Sequence, residues 1–375
     1  VKIGIIGESF LPRVNGVSNS IDRIALYLAN NGHQVTVITA GRTNILYNKP
    51  YEIIRLNSVE LPIVHDYDFP LVSLKTIEKI LKNANFDLIH VASPFVLGYL
   101  ALKVSKKLSI PSIAVYQTDV SGFSKFYGFG RLSGITDLWT KKIHKLADIN
   151  LVPSKWAWNK LFELGVKNLE IWGRGVDTDS FLPMHRDVGL RKSWNPNAKL
   201  FIGYVGRLAP EKNIENLSLV NENDEMQIVV VGDGPSRKNL EKKFPKAVFT
   251  GRLSGKELSK AYASLDVLFA TGENETFCQV AQEALASGLF VFAPSKGATQ
   301  ELIKHGINGY VYDSTQIFEI NKLLNTFRHY PEYLESISIT NRLLVSQNSW
   351  DATCNKLLQY YVYLLNINKK LSLVS

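Results

Sequence analysis

Two glutamates eight positions apart, Glu275 and Glu283, bracket the segment ETFCQVAQE. Eight residues are a little over two helical turns, so a helix beginning near Glu275 would project both carboxylates along one side. Carboxylates so placed suit accepting hydrogen bonds from vicinal hydroxyls; two solvated helix glutamates are the alternative. Upstream, GYVGRLAPEKN sets Arg207 and Lys212 just beyond the C-terminal end of an apolar run. Parallel α/β sheets bind ligands at that end, and two cations there can neutralise a diphosphate. By spacing alone a surface Arg and Lys fit equally well. GDGP at Gly232–Pro235 adds a strand-to-helix turn that is weak as a signal by itself.

These residues need a scaffold that repeats strand and helix. Short apolar, β-rich runs alternate with helix-period segments along nearly the whole chain, which predicts βαβ units and parallel sheets. Expected strands are Lys2–Gly7, Gln34–Thr39, Tyr51–Leu56, Phe86–Ala92, Ser112–Tyr116 and Asn150–Pro153, with a helix over Ser18–Asn31 ended by Gly32. Gly173–Asn197 lacks a period and is rich in turn formers, so it reads as the linker between domains. The pattern then restarts at Leu200–Val205, Gln227–Val231, Ala247–Thr250, Asp266–Ala270 and Leu289–Ala293. The expectation is an α/β fold of two doubly wound, Rossmann-like domains facing across a cleft. From Trp350 to about Asn366, Leu357, Leu358, Tyr361, Val362, Leu364 and Leu365 predict a helix buried along a broad face.

Bulk properties agree with two domains in 375 residues. A formal charge of +9 favours anionic partners. The only cysteines, Cys278 and Cys354, match no metal-ligand spacing and make no disulfide framework. The start VKIGIIGESFLP has neither a basic leader nor a small-residue cleavage site, and no apolar run approaches the roughly 20 residues of a membrane span. A cytoplasmic protein is expected, with peripheral contact to the inner face of the plasma membrane as a further option.

GRLAPEK, GDGP and ETFCQVAQE, in this order, closely resemble the donor motifs of the retaining glycosyltransferases of family 4. FLPRVNGVSNS resembles the N-terminal loop of that family, and YQTD at Tyr116–Asp119 stands at its acceptor-side motif. The resemblance spans the chain and implies the GT-B fold. Residues 1–180 would be an acceptor-binding domain, 181–352 a nucleotide-sugar-binding domain, and a C-terminal helix over about 353–375 would return to the first. It implies that Arg207 and Lys212 bind the donor diphosphate, Glu275 the transferred sugar and Glu283 the ribose. Phe277, Cys278 and Gln279 would add backbone amides, Gly16 and Gly234 would approach the phosphates, and Arg252 would lie near the base. Asn15, Gln117 and Asp119 would form the acceptor side. Many relatives have a His-Thr pair where this chain has Gln117 and Thr118, and glutamine cannot titrate. Asp119 is then the nearby carboxylate, with a helix cap or solvated loop aspartate as its alternative.

The family's same-face substitution would let the departing diphosphate deprotonate the acceptor, with Arg207 and Lys212 stabilising the leaving dianion and neither metal nor cofactor required. FLPRVNGVSNSIDR, YQTDVSGF and ETFCQVAQEALASG are most similar to GDP-mannose-dependent α-mannosyltransferases acting on glycolipids, with sulfolipid synthases as neighbours. The implied donor is GDP-mannose and the implied acceptor a glycolipid or other lipid-linked molecule. A UDP-sugar donor, a nucleotide-sugar epimerase and a sugar-binding protein are the alternatives. Between Gly122 and Lys145, Phe123, Phe126, Tyr127, Phe129 and Trp139 interleave with Lys125, Arg131, Lys141, Lys142 and Lys145. That composition suits an anionic membrane surface, or equally an aromatic core face beneath a solvated basic one. No nucleic-acid recognition motif accompanies it, so no nucleic-acid partner is expected.

Overall fold

The computed structural model describes residues 1–13, 15–41, 48–60, 68–92, 94–119, 133–221 and 223–372. They divide into two compact units, Val1–Gly173 with Trp350–Ser375, and Arg174–Ser349.

In the first unit β1 (Lys2–Gly7), β2 (Gln34–Ala40), β3 (Glu52–Leu56), β6 (Leu88–Val91), β7 (Ser112–Val115), β8 (Ile149–Val152) and β9 (Leu169–Ile171) form one sheet in the order β3-β2-β1-β6-β7-β8-β9. Every pairing is parallel, and Ile3 sits between Val35 on one neighbour and Leu88 on the other. Helices cover both faces, so the central strands are buried on both sides and read as near-continuous apolar runs. A small antiparallel pair, β4 (Ser58–Glu60) and β5 (Asp68–Pro70), lies outside this sheet. The chain moves outward from β1 to β3 and returns to β6, so the β1/β6 boundary is the switch point where such sheets open a crevice.

The second unit repeats the plan with β10 (Leu200–Val205), β11 (Met226–Val231), β12 (Val248–Gly251), β13 (Val267–Phe269), β14 (Phe290–Pro294) and β15 (Gly309–Tyr312), ordered β12-β11-β10-β13-β14-β15 and all parallel. Its switch point is β10/β13. The edge strands β9 and β15 were not expected; at three and four residues they are too short to show a period. The linker region is also more ordered than expected. It holds the helix Val188–Trp194, whose first turn is capped by Asp187 accepting from the Leu190 amide at 2.9 Å.

The helix Trp350–Ser372 belongs to the first unit. Cys354, Leu357, Tyr361 and Leu364 recur at helical spacing and enter the core formed by Ile3, Ile5, Ile24 and Leu28. The Tyr361 hydroxyl lies 2.7 Å from His90 Nδ1, and Trp172 Nε1 donates to the Thr353 carbonyl at 2.9 Å. Val362, expected on the buried face, is instead 55% exposed, because a narrower stripe suffices to cover the sheet. Leu357→Ala is therefore expected to destabilise the first unit by about 2–5 kcal/mol. Val362→Ala should be nearly neutral. Urea unfolding followed by tryptophan fluorescence checks the contrast.

Candidate functional site

In the second unit the loops after β10 and β13 flank the switch point and carry the chemistry-bearing residues. β10 ends at Val205, and Gly206 and Arg207 follow; the buried Tyr204 hydroxyl donates to the Arg207 carbonyl at 3.0 Å. Arg207 has a 54% exposed side chain whose guanidinium is ion-paired with the fully buried Glu211 carboxylate. Lys212 ends the short 3-10 turn Pro210–Lys212, and its Nζ donates to Glu275 Oε1 at 2.6 Å. Thr271 Oγ1 donates to the Lys212 carbonyl at 2.6 Å, tying the two loops together. Burial opposes the Lys212 ammonium, but the adjacent Glu275 carboxylate more than offsets it and raises its pKa. An exposed cation and an ammonium of secure charge thus stand beside a carboxylate.

Glu275 does not lie in a helix. The helix is Gln279–Ala286, and its N-cap residue, Cys278, has φ 70°, a left-handed conformation strained for a side chain with a Cβ. That kink corrects the single-face reading of the two glutamates. Glu275 sits on the loop, with its carbonyl accepting from the Ala298 amide at 3.0 Å, and Glu283 sits one helical turn inside the helix. Phe277 is buried, and Gln279 Nε2 donates to the Gly175 carbonyl at 3.0 Å. Burial, then the nearby Glu275 charge, push the Cys278 thiol up to about 12, so it stays protonated. Glu283 accepts from the Tyr262 hydroxyl at 3.0 Å. Burial raises its carboxyl to about 7, against the opposing pull of Tyr262 and Arg174. The buried Arg174 falls only to about 10 and remains cationic at neutral pH.

The GDGP turn packs against the loop after β10. A Cβ on Gly232, at φ 142°, would stand 1.9 Å from the Gly206 carbonyl oxygen, and one on Gly234 would stand 2.4 Å from that of Leu208. Both glycines let two backbone segments touch; Gly234 positions the Arg207 loop whatever else it contacts. Gly297, after β14, has φ 77° and would place a Cβ 2.4 Å from the Glu273 carbonyl oxygen, so it seats the Glu275 loop in the same way. Arg252 is exposed on the loop after β12. Gly232→Ala should force the loops apart and destabilise the second unit by about 1–3 kcal/mol. Differential scanning calorimetry, with and without a nucleoside diphosphate, tests both the stability loss and the accompanying loss of binding.

The remaining expected residues belong to the first unit. Asn15 caps the helix Gly16–Asn30: its Oδ1 accepts from the Val17 and Ser18 amides at 3.0 and 2.9 Å, while Ser18 Oγ accepts from the Asn15 amide at 2.8 Å. Gly16 opens that helix. Gln117 Nε2 donates to the Ala92 carbonyl at 2.7 Å. Asp119 is buried, accepts from the Tyr116 hydroxyl at 3.2 Å and is ion-paired with Lys160. Burial and Asp119 hold the Tyr116 phenol above its ordinary range. Of the aromatic and basic stretch, Phe123, Lys125, Phe126, Tyr127, Phe129 and Arg131 lie outside the described residues. Trp139 and Lys142 lie on the helix Ser133–His144, with Lys142 Nζ 5.3 Å from the Tyr99 ring centroid and 5.6 Å from that of Trp139.

Lys212 and Glu275 are thus brought into contact, Arg207 pairs with Glu211 on the same loop as Lys212, and Glu283 lies deeper in the same unit. Sequence reasoning missed Glu211, although its four-residue spacing from Arg207 is an ion-pair signal. It also missed Arg174 and Tyr262, which no local pattern connects to Glu283. Among the described residues no group of three or more His, Cys, Asp or Glu side chains is arranged to hold a metal ion. No helix among them is long and apolar enough to cross a membrane.

The profile of Glycosyltransferase Family 4 matches residues 14–180, and that of Glycosyl transferases group 1 matches residues 189–344. Over 383 aligned residues the chain is 39% identical to a GDP-mannose-dependent α-mannosyltransferase of Corynebacterium glutamicum, covering 100% of this chain and 91% of that one. The chain belongs to glycosyltransferase family 4. This glycosyltransferase is also 32% identical to a sulfoquinovosyl transferase of Arabidopsis thaliana, over 92% of its own length and 70% of the relative's. Its fold is GT-B: sucrose-phosphate synthase from Thermosynechococcus elongatus superimposes with a TM-score of 0.78 at 18% identity, over 98% of this chain and 99% of that one. The two parallel sheets of the glycosyltransferase, each with its own switch point, are the Rossmann-like units of that fold.

Proposed function

We propose that this glycosyltransferase moves mannose from GDP-mannose, with retention of configuration, onto a glycolipid or other lipid-linked acceptor. The 39% identity to the C. glutamicum α-mannosyltransferase over the whole chain carries the reading. The second unit takes the nucleotide sugar and the first the acceptor. Lys212 and Arg207 compensate the leaving diphosphate, a preorganised electrostatic role in which the charges are fixed before charge develops. Glu275 accepts from hydroxyls of the transferred sugar while its other contact, Lys212, stays within reach of the phosphates. Glu283 accepts from the ribose hydroxyls, with Tyr262 and Arg174 fixing its orientation. The Phe277–Gln279 backbone opens a helix and offers its amides to the phosphates.

A lipid-linked acceptor brings the chain to a membrane surface. The helix Ser133–His144 supports that reading: Ile135 and Leu138 are 62% and 67% exposed beside Lys141 and Lys142, a mixture that suits an anionic lipid interface. The net charge of +9 acts in the same direction.

The test supplies the chain with GDP-mannose, UDP-glucose or UDP-sulfoquinovose and a membrane-lipid extract, then identifies products by mass spectrometry. A mannosylated lipid formed only from GDP-mannose is expected. Transfer from a UDP-sugar would overturn the donor assignment, and no glycosylated product from any donor would sink the reading.

A further inference from the structure

Within the first unit a cavity of about 50 Å³ lies at the C-terminal end of β7, lined by Gln117, Thr118, Thr136, Trp139, Thr140 and His144 among others. Its volume is on the order of three to five water positions, the size of a glycerol group or one edge of a sugar ring. Among the described residues the lining sets the rings of Phe95, Tyr116 and Trp139 against threonine hydroxyls, the Gln117 amide and the His144 imidazole, with no carboxylate or ammonium group. That mixture of ring faces and hydrogen-bonding groups suits a neutral, hydroxyl-bearing group with an apolar face, such as one side of a sugar ring, rather than an ion.

His144 is 1% exposed and lines this cavity from the end of the helix Ser133–His144. Its tautomer follows from its neighbour. Asn150 Nδ2 donates to the His144 and Lys167 carbonyls at 3.0 and 3.1 Å, so the Asn150 Oδ1 is the atom that meets His144 Nδ1 at 2.7 Å. Nδ1 must then carry the proton, and Nε2 is left as the acceptor nitrogen. Among the described residues Nε2 has no hydrogen-bond partner. Burial, partly offset by the Asn150 bond, lowers the imidazole to about 4, which keeps the ring neutral at physiological pH. A ring edge on to Tyr116, with centroids 5.6 Å apart, further fixes its orientation.

We propose that this cavity binds a polyol portion of the acceptor and that His144 Nε2 accepts one of its hydroxyl protons as a hydrogen bond. Gln117 holds the far wall through Ala92, and the Thr136 and Thr140 hydroxyls share the same helix as His144. The proposal rests on the transferase reading for the identity of the ligand, but its binding chemistry can be measured without transfer.

The decisive experiment labels the full-length chain with ¹⁵N-histidine and follows the unprotonated Nε2 resonance of His144, assigned by its loss in His144→Asn. The probes are glycerol, methyl α-D-glucopyranoside and octyl α-D-glucopyranoside, with octanol as the control that lacks a polyol. A saturable upfield shift with a polyol probe and none with octanol is expected. No shift with any polyol, or an equal shift with octanol, overturns the proposal. In transfer assays with octyl glucoside, His144→Asn keeps a donor toward Asn150 and removes the acceptor nitrogen. It should raise acceptor KM about tenfold more than donor KM, the loss of one hydrogen bond. His144→Gln, which keeps an acceptor near the Nε2 position, should recover part of that loss. A parallel rise in both constants together with a fallen melting temperature would mark a merely structural histidine and overturn the proposal. A wild-type chain that turns over no sugar nucleotide sinks the transferase reading alone, because the resonance shift still decides whether the cavity binds a polyol.

Discussion

Lys212→Ala is expected to lower kcat about 10²–10³-fold, the scale observed when one preorganised donor to developing charge is removed. The donor KM should rise less, because the leaving diphosphate gains its full charge only as the glycosidic bond breaks. Lys212 is suited to this task by its 2.6 Å contact with Glu275, which holds the ammonium in place and raises its pKa against the cost of burial. The same contact supplies a rival explanation, since removing the lysine also strands a carboxylate. Pairing Lys212→Met with Glu275→Gln separates the two. If Lys212 served only to neutralise Glu275, the double variant would match Glu275→Gln alone; a role at the diphosphate predicts that it is slower than Glu275→Gln by nearly the whole Lys212 factor. Initial rates at saturating GDP-mannose and a fixed lipid acceptor decide it, and wild-type turnover by Lys212→Ala would remove Lys212 from the mechanism. Arg207 should show a smaller effect, because its side chain is 54% exposed and its charge is better screened by solvent.

Glu283 makes the second large prediction, and its sign follows from burial. Its folded-state value of about 7 lies above the ordinary carboxylate value of 4.5, so the folded chain holds an extra proton between those limits. The contribution of this group to stability therefore falls as pH rises from 4.5 toward 7 and levels off above it. On the proposed contact with the ribose, donor binding should run in the opposite sense, because a hydroxyl donates best to the ionised carboxylate. Affinity for GDP should drop as pH is lowered through about 7. Binding at pH 6 should release a proton, seen as a buffer-dependent enthalpy in titration calorimetry. Glu283→Gln should weaken GDP about 10–100-fold at pH 8, the range for hydrogen bonds to a charged group. It should also abolish the pH limb. A limb that persists in Glu283→Gln would assign the titration to another group.

Much of this was legible in the chain itself. The strands Lys2–Gly7 and Leu200–Val205 coincide with their expected spans, since buried parallel strands read as unbroken apolar runs between turn residues. Most other limits moved by a residue or two, where hydrogen bonding rather than hydropathy decides the end. The cations after β10 and the glutamates after β13 were visible as motifs, because a ligand site at strand ends draws its residues from short, contiguous loops. The helix expected to start near Glu275 failed for a local reason. Cys278 adopts a left-handed conformation that no propensity scale assigns to cysteine, and the Ala298 amide on a separate loop holds the preceding segment.

The sequence by itself determined the fold class, the order of the charged and glycine-rich motifs and the identity of the residues that carry charge, because those depend on periodicity and on side-chain chemistry at short range. Only the tertiary structure decided which charges are paired. Asp119 meets Lys160, 41 positions away, and Lys212 meets Glu275, 63 positions away. Glu283 acquires its raised pKa from burial, against the pull of Tyr262 and Arg174, which come from distant segments. The tautomer of His144 likewise depends on Asn150 and on the Lys167 carbonyl that fixes it. Such properties arise from burial and from contacts that sheet order creates between distant segments, and neither is written in the spacing of residues along a strand or a helix.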